Sequence, residues 1–181
     1  MASSTMSTAG LAGSETVQSI FITGVKNAHA LEKQALQLMQ RQVERLENYP
    51  EVRQMLERHI AETQQQEERI DQILHELGED RSLLKDWATQ LMGNVAAIQH
   101  AMMADEILKN TFANQAFENF EIASYRSLIV MAEAAGHSQF VPSLRKSLEE
   151  EERMAQWVAS NVEKITRMYL EHEARGEQAN R

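Results

Sequence analysis

The chain has 181 residues, a formal net charge of -9, 7 glycines, 2 prolines and no cysteine. The length suits one domain with its own core, and the negative charge argues against nucleic acid or an anionic membrane as partner, since both attract basic surfaces. The missing cysteines exclude disulfides, thiolate chemistry and cysteine-built metal sites, so any metal here takes oxygen or nitrogen ligands.

Ala, Glu, Gln, Leu, Met and Arg dominate, and all favour helix, so an all-α fold is expected. Residues 1–14 are Ser, Thr, Ala and Gly with almost no charge and read as a disordered tail. They carry neither a secretory leader pattern nor a transit peptide, and no apolar run approaches the roughly 20 residues that span a bilayer. A cytoplasmic protein is the resulting expectation.

The first helix is predicted from near Ser14 or Glu15 to about Glu47, with an apolar stripe through Phe21, Val25, Ala28, Ala35, Leu36, Met39, Val43 and Leu46. Asn48-Tyr49-Pro50 ends it, because proline disfavours a helical residue before it yet suits the first turn of the next helix. The second helix runs from about Glu51 to Leu77, and Gly78 is its stop. Between Glu79 and about Met103 lies a less regular segment, read as a partly helical crossover with a break at Gly93-Asn94. The third helix covers about Ala104 to Ala135 and ends at Gly136; the fourth begins near Ser138, holds Pro142 in its first turns and continues to about Glu171. From Glu173 to Arg181 the chain is polar and is expected to fray. The bundle domain therefore spans residues 15–172. Two tight hairpins separated by one long crossover are the connectivity of ferritin-like four-helix bundles; a continuous heptad coiled coil would show neither the tight turns nor the central break.

Some carboxylates fall where the pattern calls for core. Walking the first stripe by threes and fours places Glu32 between Ala28 and Ala35. On the second helix the walk passes His59 and meets Glu62, then Gln65 or Gln66, before Ile70. On the third, Glu118 and Glu121 share a face one turn apart, amid Phe117, Phe120, Ile122 and Tyr125. Side by side in an apolar interior, such groups must protonate, face water or share a cation. On the fourth, the stripe through Leu144, Leu148, Ala155 and Val158 selects Glu151 from the run Glu149 to Glu152, the other three reading as a solvated acidic face, although Glu150 or Glu152 would need only a modest rotation to turn inward instead.

Heights agree. At about 1.5 Å per residue, Glu32 and Glu62 lie at nearly one level relative to the Asn48 turn, and Glu121 and Glu151 stand equally far from Gly136. If the third helix starts at the end of the bundle that holds the first turn, Glu118 joins them. Five carboxylates then converge near mid-bundle.

The segments Glu118-Asn119-Phe120-Glu121-Ile122-Ala123-Ser124-Tyr125, His59-Ile60-Ala61-Glu62-Thr63 and Leu148-Glu149-Glu150-Glu151 resemble the bacterial ferritin-like family of YciF and YciE type proteins (DUF892). The resemblance implies a rubrerythrin-like bundle, usually a homodimer, associated with stress-response gene clusters. Rubrerythrin-type sites take Glu, Glu-x-x-His, Glu-x-x-Glu and Glu-x-x-His from successive helices. Carried over, Glu32, Glu62, Glu118, Glu121 and Glu151 supply the carboxylates, whereas Gln65 or Gln66 stands for the first histidine and Met154 for the second. Such a site is carboxylate-rich and short of nitrogen. His29 and His59, each one turn before an inward glutamate, could supply nitrogen from another angle, but are read instead as side chains behind the ligands or as simply buried and hydrogen-bonded. His75, His100, His137 and His172 have no ligand spacing.

Hard oxygen donors suit Fe or Mn, one or two ions, so iron or peroxide handling under stress is the expected function, at most with a weak ferroxidase- or peroxidase-like activity. Tyr125, one turn from Glu121, is the candidate catalytic side chain, a buried packing role being its alternative. The competing function is a non-catalytic dimeric helical stress protein with a degenerate site.

Overall fold

The computed structural model describes residues 8–79 and 106–179, with side chains from residue 15 onward. Four long helices account for most of them: α1 (Thr8–Arg45), α2 (Pro50–Glu76), α3 (Glu106–Ala134) and α4 (Val141–Ala174), the last preceded by a 3-10 turn over Ser138–Phe140. The crossover expected up to Met103 falls on residues 80–105, outside the described residues.

Both tight hairpins form where the sequence puts them. Pro50 occupies the first turn of α2 with Tyr49 before it outside the helical region, at φ -123° and ψ 67°. Gly78 and Gly136 close α2 and α3 at φ values of 76° and 78°, a region that a residue with a Cβ enters only at a cost. Two ends differ from expectation. Helix α1 begins at Thr8, within the segment read as a disordered tail, because extending a long helix costs far less than starting one. Among the described residues the C-terminal stretch is tied down: α4 continues to Ala174, and residues 175–179 fold back so that Tyr49 Oη donates to the carbonyl of Ala179 and Asn48 Nδ2 to that of Gln178.

Pairings across the bundle fix its topology. Lys26 meets Glu79, Lys33 meets Glu67, and Arg45 meets Glu106. Helix α2 therefore ends beside the N-terminal part of α1, whereas α3 starts beside its C-terminal end, roughly 28 Å away along the axis. The two ends joined by residues 80–105 thus lie at opposite ends of the bundle, as a ferritin-like connection requires. Helix α1 packs on α2 and α3, α4 packs closely on α3, and α2 touches α4 more thinly. Gly24 permits the α1–α3 approach, since a Cβ there would stand 2.9 Å from Leu128 Cδ2.

The apolar core is divided. One cluster, built on Phe21, Val25, Ile70, Leu74, Leu128 and Leu144, fills one half of the bundle. A second, built on Met39, Tyr49, Leu56, Ile107, Met154 and Val158, fills the other. Between them lies a buried polar waist.

Candidate metal centre

The waist receives a side chain from every helix: Glu32 from α1, His59 and Gln66 from α2, Glu118, Glu121 and Tyr125 from α3, and Glu151 from α4, each at most 3 % exposed. Periodicity dictates this. Each occupies a core position of its helix, so burial of the flanking apolar residues carries the polar group inward with them.

His59 organises one side. Its Nε2 lies 3.2 Å from Glu118 Oε2 and 3.5 Å from Glu151 Oε2, and its Nδ1 lies 3.3 Å from Glu62 Oε2. Donor atoms of His59, Glu118 and Glu151 all fall within 4.8 Å of one another, close enough to hold a metal ion. On the opposite side Tyr125 Oη donates to Glu32 Oε1. Gln66 Nε2 donates to Glu151 Oε1 and, at 3.1 Å, to Glu150 Oε2.

The electrostatics follow from crowding acids in a dry cavity. Burial, with the charge of Glu151 next, raises Glu32 well above the ordinary carboxyl range. Burial likewise raises Glu118 to about 8, and raises Glu121 with help from Glu151, Glu32 and Glu118. Glu151 goes the other way: burial opposes its ionisation, but His59 and hydrogen bonds from Glu118 and Glu121 outweigh it. For His59, burial opposes protonation and the carboxylates of Glu118, Glu151 and Glu62 overcome it, so its pKa stands well above 6.5. Without metal, then, burial disfavours charge on Glu32, Glu118 and Glu121, while His59 is favoured as the imidazolium between the carboxylates of Glu151 and Glu62.

Glu32 Oε2 and Glu121 Oε1 are buried with no hydrogen-bond partner among the described residues, and Glu118 Oε2 and Glu151 Oε2 are buried with only the His59 Nε2 contacts at 3.2 and 3.5 Å. Native interiors rarely leave such atoms unmatched. Protons shared between carboxyls are one relief; a cation is the other. The donor set, several carboxylate oxygens and one imidazole nitrogen, fits a hard or borderline divalent ion such as Mn or Fe(II).

Several expectations need correction. Glu62 does not enter the cavity: a quarter exposed, it lies behind His59 and accepts from Arg153 Nη2 at 3.1 Å, which draws it to the surface. Its placement is that of a carboxylate orienting a histidine, an arrangement common around metal-bound imidazoles. Gln65 is exposed, and Gln66 is the buried glutamine; it meets the cluster through its amide nitrogen, steadying Glu151 rather than offering an oxygen. His59 is the buried, hydrogen-bonded side chain expected, and it also directs Nε2 at two site glutamates. Glu150, read as solvated, is buried; Arg69 Nη2 reaches both its oxygens at 2.9 and 2.7 Å. The acidic run hid it, because periodicity picks out one residue whereas both 150 and 151 turn in, Glu150 toward Arg69 on α2.

A bundle of two helical hairpins with glutamates and a histidine converging at mid-height from all four helices is a ferritin-like carboxylate bundle. Residues 16–171 match the family described as a domain of unknown function, DUF892, and the chain belongs to that family. It is 28% identical over 148 residues to Protein YciF of Escherichia coli (strain K12), spanning 76% of this chain and 84% of that protein. Among solved structures, a protein from Xanthomonas campestris pv. campestris shares the fold with a TM-score of 0.74 at 30% identity, covering 88% of this chain and 99% of that one. The structure of the E. coli stress protein YciF matches with a TM-score of 0.62 at 22% identity, covering 81% and 94%, a likeness of fold alone.

Proposed function

We propose that the protein binds one or two Fe or Mn ions at the waist, through Glu32, Glu118, Glu121 and Glu151 with His59 Nε2 as the nitrogen donor, and serves in iron or peroxide handling under stress. The observation that carries this is the set of four buried carboxylate oxygens, two without a hydrogen-bond partner among the described residues and two turned to His59 Nε2. A bound dication would replace the protons that those carboxyls otherwise need, and would supply Lewis-acid or redox chemistry. Tyr125, whose hydroxyl reaches Glu32, is the side chain placed to pass a proton or an electron at the edge of the cluster. The stress context rests on the E. coli relative, known as a stress protein.

Metal analysis of protein purified without chelator tests the reading, together with Fe(II) and Mn(II) titrations. Stoichiometric uptake with a raised melting temperature is expected, because a ligand that binds only the folded state stabilises it. Glu121→Ala is expected to abolish uptake and the exposed Glu149→Ala to leave it unchanged. Less than about one tenth of an equivalent, with melting unmoved by metal, would rule it out.

A second reading, a non-catalytic dimeric stress protein with a degenerate site, has its own support. Met154, buried at the position of an expected histidine, offers no hard donor. Helix α3 also presents an apolar line to solvent through Phe112, Ala116, Phe120, Ala123 and Val130, with Phe112, Phe120 and Val130 more than half exposed. These positions fall on one stripe at helical spacing, and we take that stripe as the face through which two copies pair. A monomeric mass by light scattering for the wild type, or an unchanged dimer in Phe120→Glu, would exclude this pairing.

A further inference from the structure

We propose that His29, Glu67 and Asp71 form a second divalent-cation site, on the α1–α2 face of the bundle and independent of the waist. Glu67 and Asp71 are four residues apart on α2 and so share one face a turn apart. Facing them from antiparallel α1, His29 Nε2 lies 3.0 Å from Asp71 Oδ1 and 3.7 Å from Glu67 Oε1. All the donor atoms lie within 4.8 Å of one another. Ligands held at about 2.0–2.2 Å from one metal stand roughly 3.0–3.6 Å apart, so the group needs only small side-chain adjustments to close on an ion.

Burial is graded in a way that suits loading from water. The His29 side chain is 5% exposed, Asp71 13% and Glu67 25%. The imidazole is fixed in the helix interface while the carboxylates reach solvent, unlike the surface pairs Arg53–Glu57 and Lys164–Glu51, whose partners are all at least half exposed. Lys33 Nζ stands 3.4 Å from Glu67 Oε1, but its side chain is half exposed, and releasing such a surface pair costs ~1 kcal/mol or less. One nitrogen and two carboxylates, with the remaining positions open to water, suit Zn, Mn or Fe(II) better than Ca, which prefers oxygen throughout. The competing account is a plain His–Asp tie between α1 and α2, which would bind no metal.

The test uses the full chain with the waist disabled by Glu118→Gln and Glu121→Gln, titrated with Zn(II) by calorimetry and with Co(II) by NMR. The disabled protein is expected to keep about one equivalent of Zn(II) and to show paramagnetic broadening of the His29 ring protons. Adding His29→Ala or Asp71→Asn is expected to weaken that binding roughly a hundredfold or more. Glu67→Gln, at the solvent edge where folding is least at risk, is expected to weaken it roughly tenfold. Absence of Zn(II) binding in the disabled protein, no effect of Co(II) on the His29 ring, or unchanged affinity in Glu67→Gln would each overturn the proposal. Because the waist is removed first, a failure here leaves the waist reading standing, and loss of waist uptake leaves this site standing.

Discussion

Tyr125 Oη donates to Oε1 of Glu32 across the α1–α3 interface, while Oε2 of the same carboxylate is buried without a hydrogen-bond partner among the described residues. One oxygen is held in place and the other is presented to the waist. The hydroxyl also works against burial, drawing the Glu32 pKa down from where desolvation puts it. Tyr125→Phe is therefore expected to make Glu32 harder to ionise, to weaken Mn(II) binding at neutral pH, and to cost roughly 1–3 kcal/mol of metal-free stability for the polar group left unmatched. Calorimetric titration and denaturant unfolding measure the two effects separately. Unchanged affinity would mean that Glu32 is not a ligand.

Metal binding and metal-free stability are expected to oppose each other at Glu118 and Glu121. Both are buried acids whose charged forms are disfavoured by desolvation. Glu118→Gln and Glu121→Gln keep the shape but remove the ionisable group, so each is expected to leave the metal-free protein as stable as wild type, or more stable by about 1 kcal/mol. Each is also expected to lose most of the stabilisation that Mn(II) gives the wild type. Paired melting curves in chelator and in Mn(II) decide it; a variant destabilised in chelator would show that these side chains are structural.

Much of this was legible in the sequence, and the unread part has a physical cause. The hairpin turns at Tyr49-Pro50 and Gly136 announce themselves through backbone chemistry that any context must obey. Glu32, Glu118, Glu121 and Glu151 show because a carboxylate on an apolar stripe is dragged inward by its neighbours. Gln65 and Gln66 are neighbours, and Glu150 and Glu152 flank Glu151 on either side, and at such helix edges the deciding fact is the side chain across the gap. Arg69 on α2 pulls in Glu150, Arg153 on α4 draws out Glu62, and neither pairing is local in sequence. His59 is buried and hydrogen-bonded as read; spacing along α2 relates it to Glu62, but only the approach of α3 and α4 brings Glu118 and Glu151 to its other nitrogen.

Stability of the metal-free protein is expected to fall as pH rises from about 5 to about 8. Glu118, at about 8 in the fold against 4.5 ordinarily, keeps its proton in that window while the unfolded chain loses it, so rising pH favours unfolding. Glu32 and Glu121 act in the same direction. His59, raised above 6.5, adds a further loss as its folded-state proton leaves. The lowered carboxyls of Glu151 and Glu62 matter only on the acid side, where stability drops as pH falls below 4.5. Metal reverses the trend, since its ligands must shed protons to bind it and affinity should climb with pH. Urea midpoints across this range, in chelator and in Mn(II), provide the comparison; a flat profile in chelator would mean that the waist acids are already ionised.

The Arg69–Glu150 pair is the strongest candidate for a structural role beside the site. The two side chains are 11% and 5% exposed, Arg69 Nη1 also reaches Ser147 Oγ, and Gln66 links Glu150 to Glu151. Removing one member of a buried pair strands the other's charge, at a cost of about 3–5 kcal/mol. Arg69→Met is expected to destabilise the bundle by that order and, by freeing Glu150 to compete for the Gln66 amide, to loosen Glu151. Adding Glu150→Leu removes the stranded charge and is expected to recover most of the stability. Gln66 then has Glu151 alone to hold, so Mn(II) affinity should return as well. Denaturant unfolding and Mn(II) titration of the single and double variants check both halves. Recovery of stability without recovery of affinity would show that Arg69 acts on the metal centre by another route, such as its charge.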